Sequence, residues 1–157
     1  MLPASVYTWL ETTKVSQFFQ SSTYTFPVTE VLHLIGLMIL LGATTVVCLR
    51  LLGYGLPQAA STIHSGIWAW TWIGLGLVWG TGIILLIAEP SKLGANSAFA
   101  YKLWFLSAGL AIHCLGYLFL LRPGRAEAHP VLSKVVAVMV IVCWFGAGVA
   151  GRAIGFV

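Results

Sequence analysis

The sequence predicts an all-α integral membrane protein, a four-helix bundle with an N-terminal interfacial helix. Three observations carry this. Of 157 residues, 59% are apolar and 8% charged, against about 25% charged in a soluble domain. The mean hydropathy is +0.96. Four long, continuous apolar runs stand between short polar connections. Backbone groups in lipid must be satisfied internally, so such runs span as helices of about 20 residues. They lack the ten-residue alternation of a β-barrel. Disorder needs low hydrophobicity and high charge. Nucleic-acid binding needs a dense basic surface, which eight Lys or Arg do not provide.

Residues 1–27 form the first segment. Glu11 and Lys14 interrupt its apolar residues and there is no basic n-region, which argues against a signal peptide. Val6, Trp9, Leu10 and Phe18 fall on one face of a short helix, with Phe19 at its edge, so an interfacial helix is expected. An irregular polar cover over the bundle end is the alternative. Tyr24 and Phe26 suit the aromatic belt.

Residues 28–157 form the transmembrane domain. Its spans are expected at about 29–49, 63–88, 99–121 and 131–150. Pro27 and Thr29 suit a helix start, and Arg50 marks the end of the first span. Gly53, Gly55 and Pro57 make a turn-rich connection. Glu89-Pro90 closes the second span, because proline disfavours helix before it. Arg122-Pro123-Gly124-Arg125 closes the third, and Pro130 and Arg152 bracket the fourth. Short connections make sequential spans antiparallel neighbours. Lys and Arg divide four and four between the two sides. The arginines adjoining span ends favour cytoplasmic connections and external termini, in a bacterial inner membrane.

Function must reside in the few polar groups at membrane depth, where ionisable residues are costly. Glu30 and His33 lie i,i+3 on one helix face. Glu30 accepting from one ring nitrogen would leave the other for a metal, a haem iron or a substrate. The competing reading is a solvated interfacial pair. His113 lies within the third span and His64 opens the second, toward the arginine-rich side. Each could instead bond a neighbouring helix.

The polar inventory therefore divides into an outer set, Glu30, His33, Asn96 and Lys102, and an inner set, His64 and His113 with Arg50 and Arg122 nearby. Two haems, or one haem and a quinone or substrate site, would fit this division. Arg50, Arg122 and Lys102 are candidates to pair with haem propionates, or snorkel to headgroups.

Glycines in every span allow close helix approach. Trp68 and Trp70 suit the interface, and Trp72 and Trp79 share one face of the second span, for core packing or a cofactor wall. Cys48, Cys114 and Cys143 are isolated, with no C-x-x-C-H haem attachment and no paired metal spacing. No P-loop, dinucleotide fingerprint or H-E-x-x-H is present.

The run VLHLIGLMILLGATTVVCLRLLG, through His33, Gly42 and Arg50, resembles small bacterial membrane proteins related to the copper-resistance D domain and to HemJ-type protoporphyrinogen oxidase. In YKLWFLSAGLAIHCLGYL, Lys102 and His113 resemble a K-L segment followed by histidine in that oxidase family. The chain also resembles a bacterial family of four-span proteins of this length. The resemblance implies b-type haem, an inner-membrane location and redox work, with His33 and Lys102 at an outer site. The long N-terminal segment, Glu30 and His64 depart from the oxidase pattern.

The leading expectation is a haem b electron carrier, such as the membrane anchor subunit of a redox complex, with a redox partner subunit or a second copy as partner. His33 is the first ligand choice, then His113, then His64. A cofactor-free assembly subunit, and a copper- or proton-handling protein using Glu30 and His33, are the alternatives.

Overall fold

A computed structural model describes residues 3–55 and 57–156. Among these residues eight helices follow in order: α1 Ala4–Glu11, α2 Lys14–Ser21, α3 Thr25–Leu52, α4 Ala60–Ala88, α5 Pro90–Gly94, α6 Ser97–Phe119, α7 Arg125–Ala128 and α8 Pro130–Ala153. Helices α3, α4, α6 and α8 have 28, 29, 23 and 24 residues. At 1.5 Å rise per residue each exceeds the roughly 30 Å hydrocarbon layer. The chain is a multi-pass, all-α membrane bundle.

Burial is reversed relative to a soluble domain. Met38, Trp104 and Val149 are exposed, whereas Thr29, His33, Thr44, His64, Thr71, Thr81 and Ser133 are buried. Lipid solvates the apolar exterior, and polar groups are sheltered between helices.

The spans start and stop for local reasons. Pro27 lies inside the first turn of α3, where the N–H that proline lacks would have no helical partner. Gly53 closes α3 at φ 99°, a left-handed turn that glycine adopts without strain. Asn96 caps α6 by accepting from the Ala98 and Phe99 amides at 2.9 and 3.2 Å. Its amide donates to the Ile154 carbonyl at 3.1 Å, tying the end of α8 to the start of α6.

The four spans pack in the order α4–α3–α8–α6. Two of the three sequential pairs are close antiparallel neighbours. The α4–α6 pair is not, because the glycines that permit close approach lie in other seams. A Cβ on Gly74 would stand 2.7 Å from the Leu40 backbone nitrogen, and one on Gly36 2.8 Å from the Leu77 Cβ, both in the α3–α4 seam. Gly109, Gly116 and Gly146 meet Cys143, Val136 and Phe105 between α6 and α8. Leu40, Cys48, Val78, Ala137, Val140 and Trp144 form the core where α3, α4 and α8 meet.

The N-terminal segment is helical but broken in two. Thr12 closes α1 and Thr13 caps α2, accepting from the Ser16 amide at 3.3 Å. Trp9 and Phe18, on the apolar face expected for an interfacial helix, are turned away from the bundle, 65% and 63% exposed. Tyr7 instead is buried against Gly94 of α5, and Gln20 donates to the Ala88 carbonyl at 3.1 Å. Helices α1 and α2 thus cap the bundle end where α3 and α6 begin. Arg50, Arg122 and Arg125 mark the opposite, arginine end.

Candidate functional site

The open side between α4 and α6 produces two recesses, one toward each end. At the capped end, all four spans surround a cavity of about 350 Å³. Small-molecule sites range over roughly 300–1,000 Å³. Its lining includes Leu37, Val78, Leu106 and Trp144 and the charged residues Glu30, Glu89, Lys92, Lys102 and Arg152.

His33 lines this cavity and is buried. Its Nδ1 lies 2.8 Å from the Thr81 hydroxyl oxygen on α4. With that hydroxyl donating its one proton to the Leu77 carbonyl, it accepts from His33 Nδ1. In this tautomer the neutral ring carries its proton on Nδ1 and a bare lone pair on Nε2. Nε2 is buried without a hydrogen-bond partner. A buried polar atom left in this way requires an explanation.

Sequence spacing assigned the tautomer-fixing role to Glu30. The structure gives it to Thr81: Glu30 is exposed, while the ring turns to the neighbouring helix. A local i,i+3 relation could not disclose a partner 48 residues away.

Glycine keeps the cavity open beside its two central polar groups. A Cβ on Gly82 would lie 3.5 Å from His33 Cε1, and one on Gly151 3.5 Å from Lys102 Nζ. Among the described residues Lys102 has neither an ion pair nor a hydrogen bond, whereas Lys92 pairs with Glu89 at 3.1 Å. Arg152 sits over the Phe156 ring, 5.1 Å from its centroid. Asn96, grouped with this outer set by sequence, serves as the helix cap and interhelix tie described above.

The other candidates occupy the arginine end. His64 is buried with Nε2 unpartnered, and its ring centroid lies 5.0 Å from that of Tyr117. His113 is half-buried, edge-on to Trp144 at 6.3 Å. It borders a cavity of about 30 Å³ together with Thr44, whose buried hydroxyl also lacks a partner. That volume suits a single water rather than a cofactor. Arg50 bonds the Gln58 and Pro57 carbonyls and so closes the α3–α4 connection. Arg122 remains exposed at the rim of the second recess.

Tryptophan placement differs from expectation. Trp68, Trp70, Trp72 and Trp79 are 43–57% exposed on the exterior, so Trp72 and Trp79 form neither core nor cofactor wall. The buried indole is Trp144, which walls the cavity beside His33 and touches His113 on its other side.

Among the described residues no three His, Cys, Asp or Glu side chains cluster to hold a metal ion. Cys48, Cys114 and Cys143 are free thiols.

A family model spans nearly the whole of this architecture. The chain belongs to the family of unknown function DUF6644. The match covers residues 6–157, so it includes the capping helices as well as the four spans. The resemblance to the copper-resistance D domain and the HemJ-type oxidase read on His33, Gly42, Arg50, Lys102 and His113 is not shown by this match, and the activity of those groups is not carried to this chain. No curated protein and no solved structure matches the chain.

Proposed function

We propose that this chain is a membrane electron-carrying protein whose four-helix cavity would hold one b-type haem, its iron bound by His33 Nε2. The carrying observation is the Leu77–Thr81–His33 network, which fixes the Nδ1 proton and leaves a buried lone pair on Nε2 beside a cavity. Ligating histidines are commonly held in this way, with the second ring nitrogen donating to a fixed acceptor.

The donor chemistry supports haem over a bare metal ion. An ion held by side chains alone needs several ligands, and no three cluster among the described residues. A porphyrin brings four nitrogens and needs one or two from protein. The copper- or proton-handling reading loses its Glu30–His33 pair, since His33 bonds Thr81.

Bound haem would supply one-electron chemistry. The residues would perform the remaining tasks. His33 would bind the iron and Thr81 would hold the ring's orientation. Lys102 and Arg152 would offer cations to propionates, while Leu37, Leu106 and Trp144 would exclude water. His64 and His113, at the other end, are not assigned to this iron. Arg50 and Arg122 are not assigned to its propionates.

The test is a reduced-minus-oxidised spectrum and pyridine haemochrome assay on protein purified from haem-replete cells. A haem signal lost in His33→Ala and retained in His64→Ala and His113→Ala is expected. A colourless, folded preparation would favour the cofactor-free assembly subunit. Gentle co-purification would reveal a redox partner subunit.

A further inference from the structure

At the arginine end, α4 and α6 diverge around a groove of about 730 Å³ lined by Ser61, His64, Ser65, Trp68, Tyr117 and Arg122. Two features make it more than a gap. His64 is only 6% exposed, and its Nε2 is buried with no partner. Tyr117 places an aromatic ring beside it, 5.0 Å between centroids and tilted by 55°. We propose that this groove binds the head group of a membrane quinone or quinol, with a ring oxygen hydrogen-bonded to His64 Nε2.

The position favours a ligand arriving from the bilayer. His64 lies four residues after the start of α4, about 6 Å along its axis, and Tyr117 lies two residues before the end of α6. Both therefore stand near the headgroup level. Trp68 and Leu118, on the same groove, are 46% and 49% exposed on the exterior. An amphiphile can enter laterally with its tail in lipid.

The chemistry favours a neutral, flat head. An imidazole can donate to a quinone carbonyl or accept from a quinol hydroxyl, according to its tautomer. Such a bond satisfies the buried nitrogen without burying a net charge. Ser65 already donates to the Thr62 carbonyl at 2.8 Å, so its oxygen remains able to accept. A phosphate head would find one cation, Arg122, exposed at the rim. The proposal does not depend on haem in the other cavity.

The test uses the full chain in phosphatidylcholine nanodiscs titrated with a short-chain benzoquinone carrying a decyl tail, read by tryptophan quenching with Trp68→Phe as the reference. Saturable binding is expected, weakened at least tenfold by His64→Ala and at least threefold by Tyr117→Leu, and unchanged by His33→Ala. Tyr117 is partly exposed, so its variant retains the test if His64→Ala misfolds. Absence of saturable binding, or equal affinity in the folded His64 and Tyr117 variants, overturns the proposal. So does loss of quinone binding on adding phosphatidylglycerol with recovery in Arg122→Ala, which would assign the groove to a lipid phosphate.

Discussion

Thr81→Val tests the hydrogen-bond network on which the outer site rests. Valine keeps the shape of threonine and removes the oxygen that accepts from His33 Nδ1 at 2.8 Å. The Nδ1 proton then lies in a buried setting without its acceptor, which costs about 1–3 kcal/mol. At roughly 2–4 °C per kcal/mol for a chain of this size, melting should fall by about 2–12 °C. Loss of such an orienting partner weakens metal binding by about 10–100-fold, so haem affinity should fall by the same factor. Thr81→Ser retains the hydroxyl and should retain affinity within a few-fold, although loss of a buried methyl costs about 1 kcal/mol. The assays are thermal unfolding in detergent, haem titration, and ¹⁵N imidazole spectra of the haem-free protein, which report which ring nitrogen holds the proton. A Thr81→Val protein that melts with the wild type and keeps the proton on Nδ1 would refute the assigned network, whatever its haem content.

The remaining predictions concern packing and caps. Gly74→Ala should destabilise by about 1–3 kcal/mol, since its Cβ would meet backbone atoms of Leu40 and Gly36 at 2.7–3.1 Å, whereas Gly76→Ala and Gly80→Ala should be neutral or stabilising by up to about 1 kcal/mol, having nothing within 4 Å; unfolding in detergent distinguishes them. Gly94→Ala would place its Cβ 2.6 Å from the Tyr7 ring, so faster proteolysis between α1 and α2 is expected with the four spans intact. Asn96→Ala removes the α6 cap and should cost about 0.5–2 kcal/mol in the same melting assay. Thr44→Val replaces a buried hydroxyl that has no partner and should be neutral to stabilising by about 1 kcal/mol in thermal unfolding.

The spans were legible because lipid leaves the backbone few options and because the scarce charges mark span ends. Arg50, Glu89-Pro90, Arg122 and Arg152 locate those ends to within a few residues. The inward faces were not legible, since both sides of each helix are apolar: one meets lipid and the other meets protein. Trp72 and Trp79 on α4 therefore suggested core packing or a cofactor wall, while the single buried indole came from Trp144 on α8. The glycines posed the same difficulty. Gly74 and Gly76 are indistinguishable by composition, yet one is pressed against α3 and the other has open space. His33 could be selected because a histidine at membrane depth is costly. Thr81 could not, because threonine is common in such helices and its importance comes only from the α3–α4 register.

That register also links packing to site formation. The close α3–α4 approach at Gly36 and Gly74 brings Thr81 to His33, so the seam that stabilises the pair also fixes the ring. The close α6–α8 approach carries Trp144 to the opposite wall. With α3 joined to α8, these pairs leave α4 and α6 apart, and unpartnered histidine nitrogens lie beside both recesses along that opening. Filling the opening with protein would give a better-packed bundle but would remove both recesses. A side chain added at Gly42, which is exposed on α3 with nothing within 4 Å of its Cβ, should leave them unchanged. Bulk introduced at Gly82, whose Cβ would stand 3.5 Å from the His33 ring, should close the outer cavity while sparing the groove at His64. Gly82→Leu therefore separates the two sites: haem retention should fall while quinone binding persists, and parallel loss of both in a folded variant would show that the recesses are not independent.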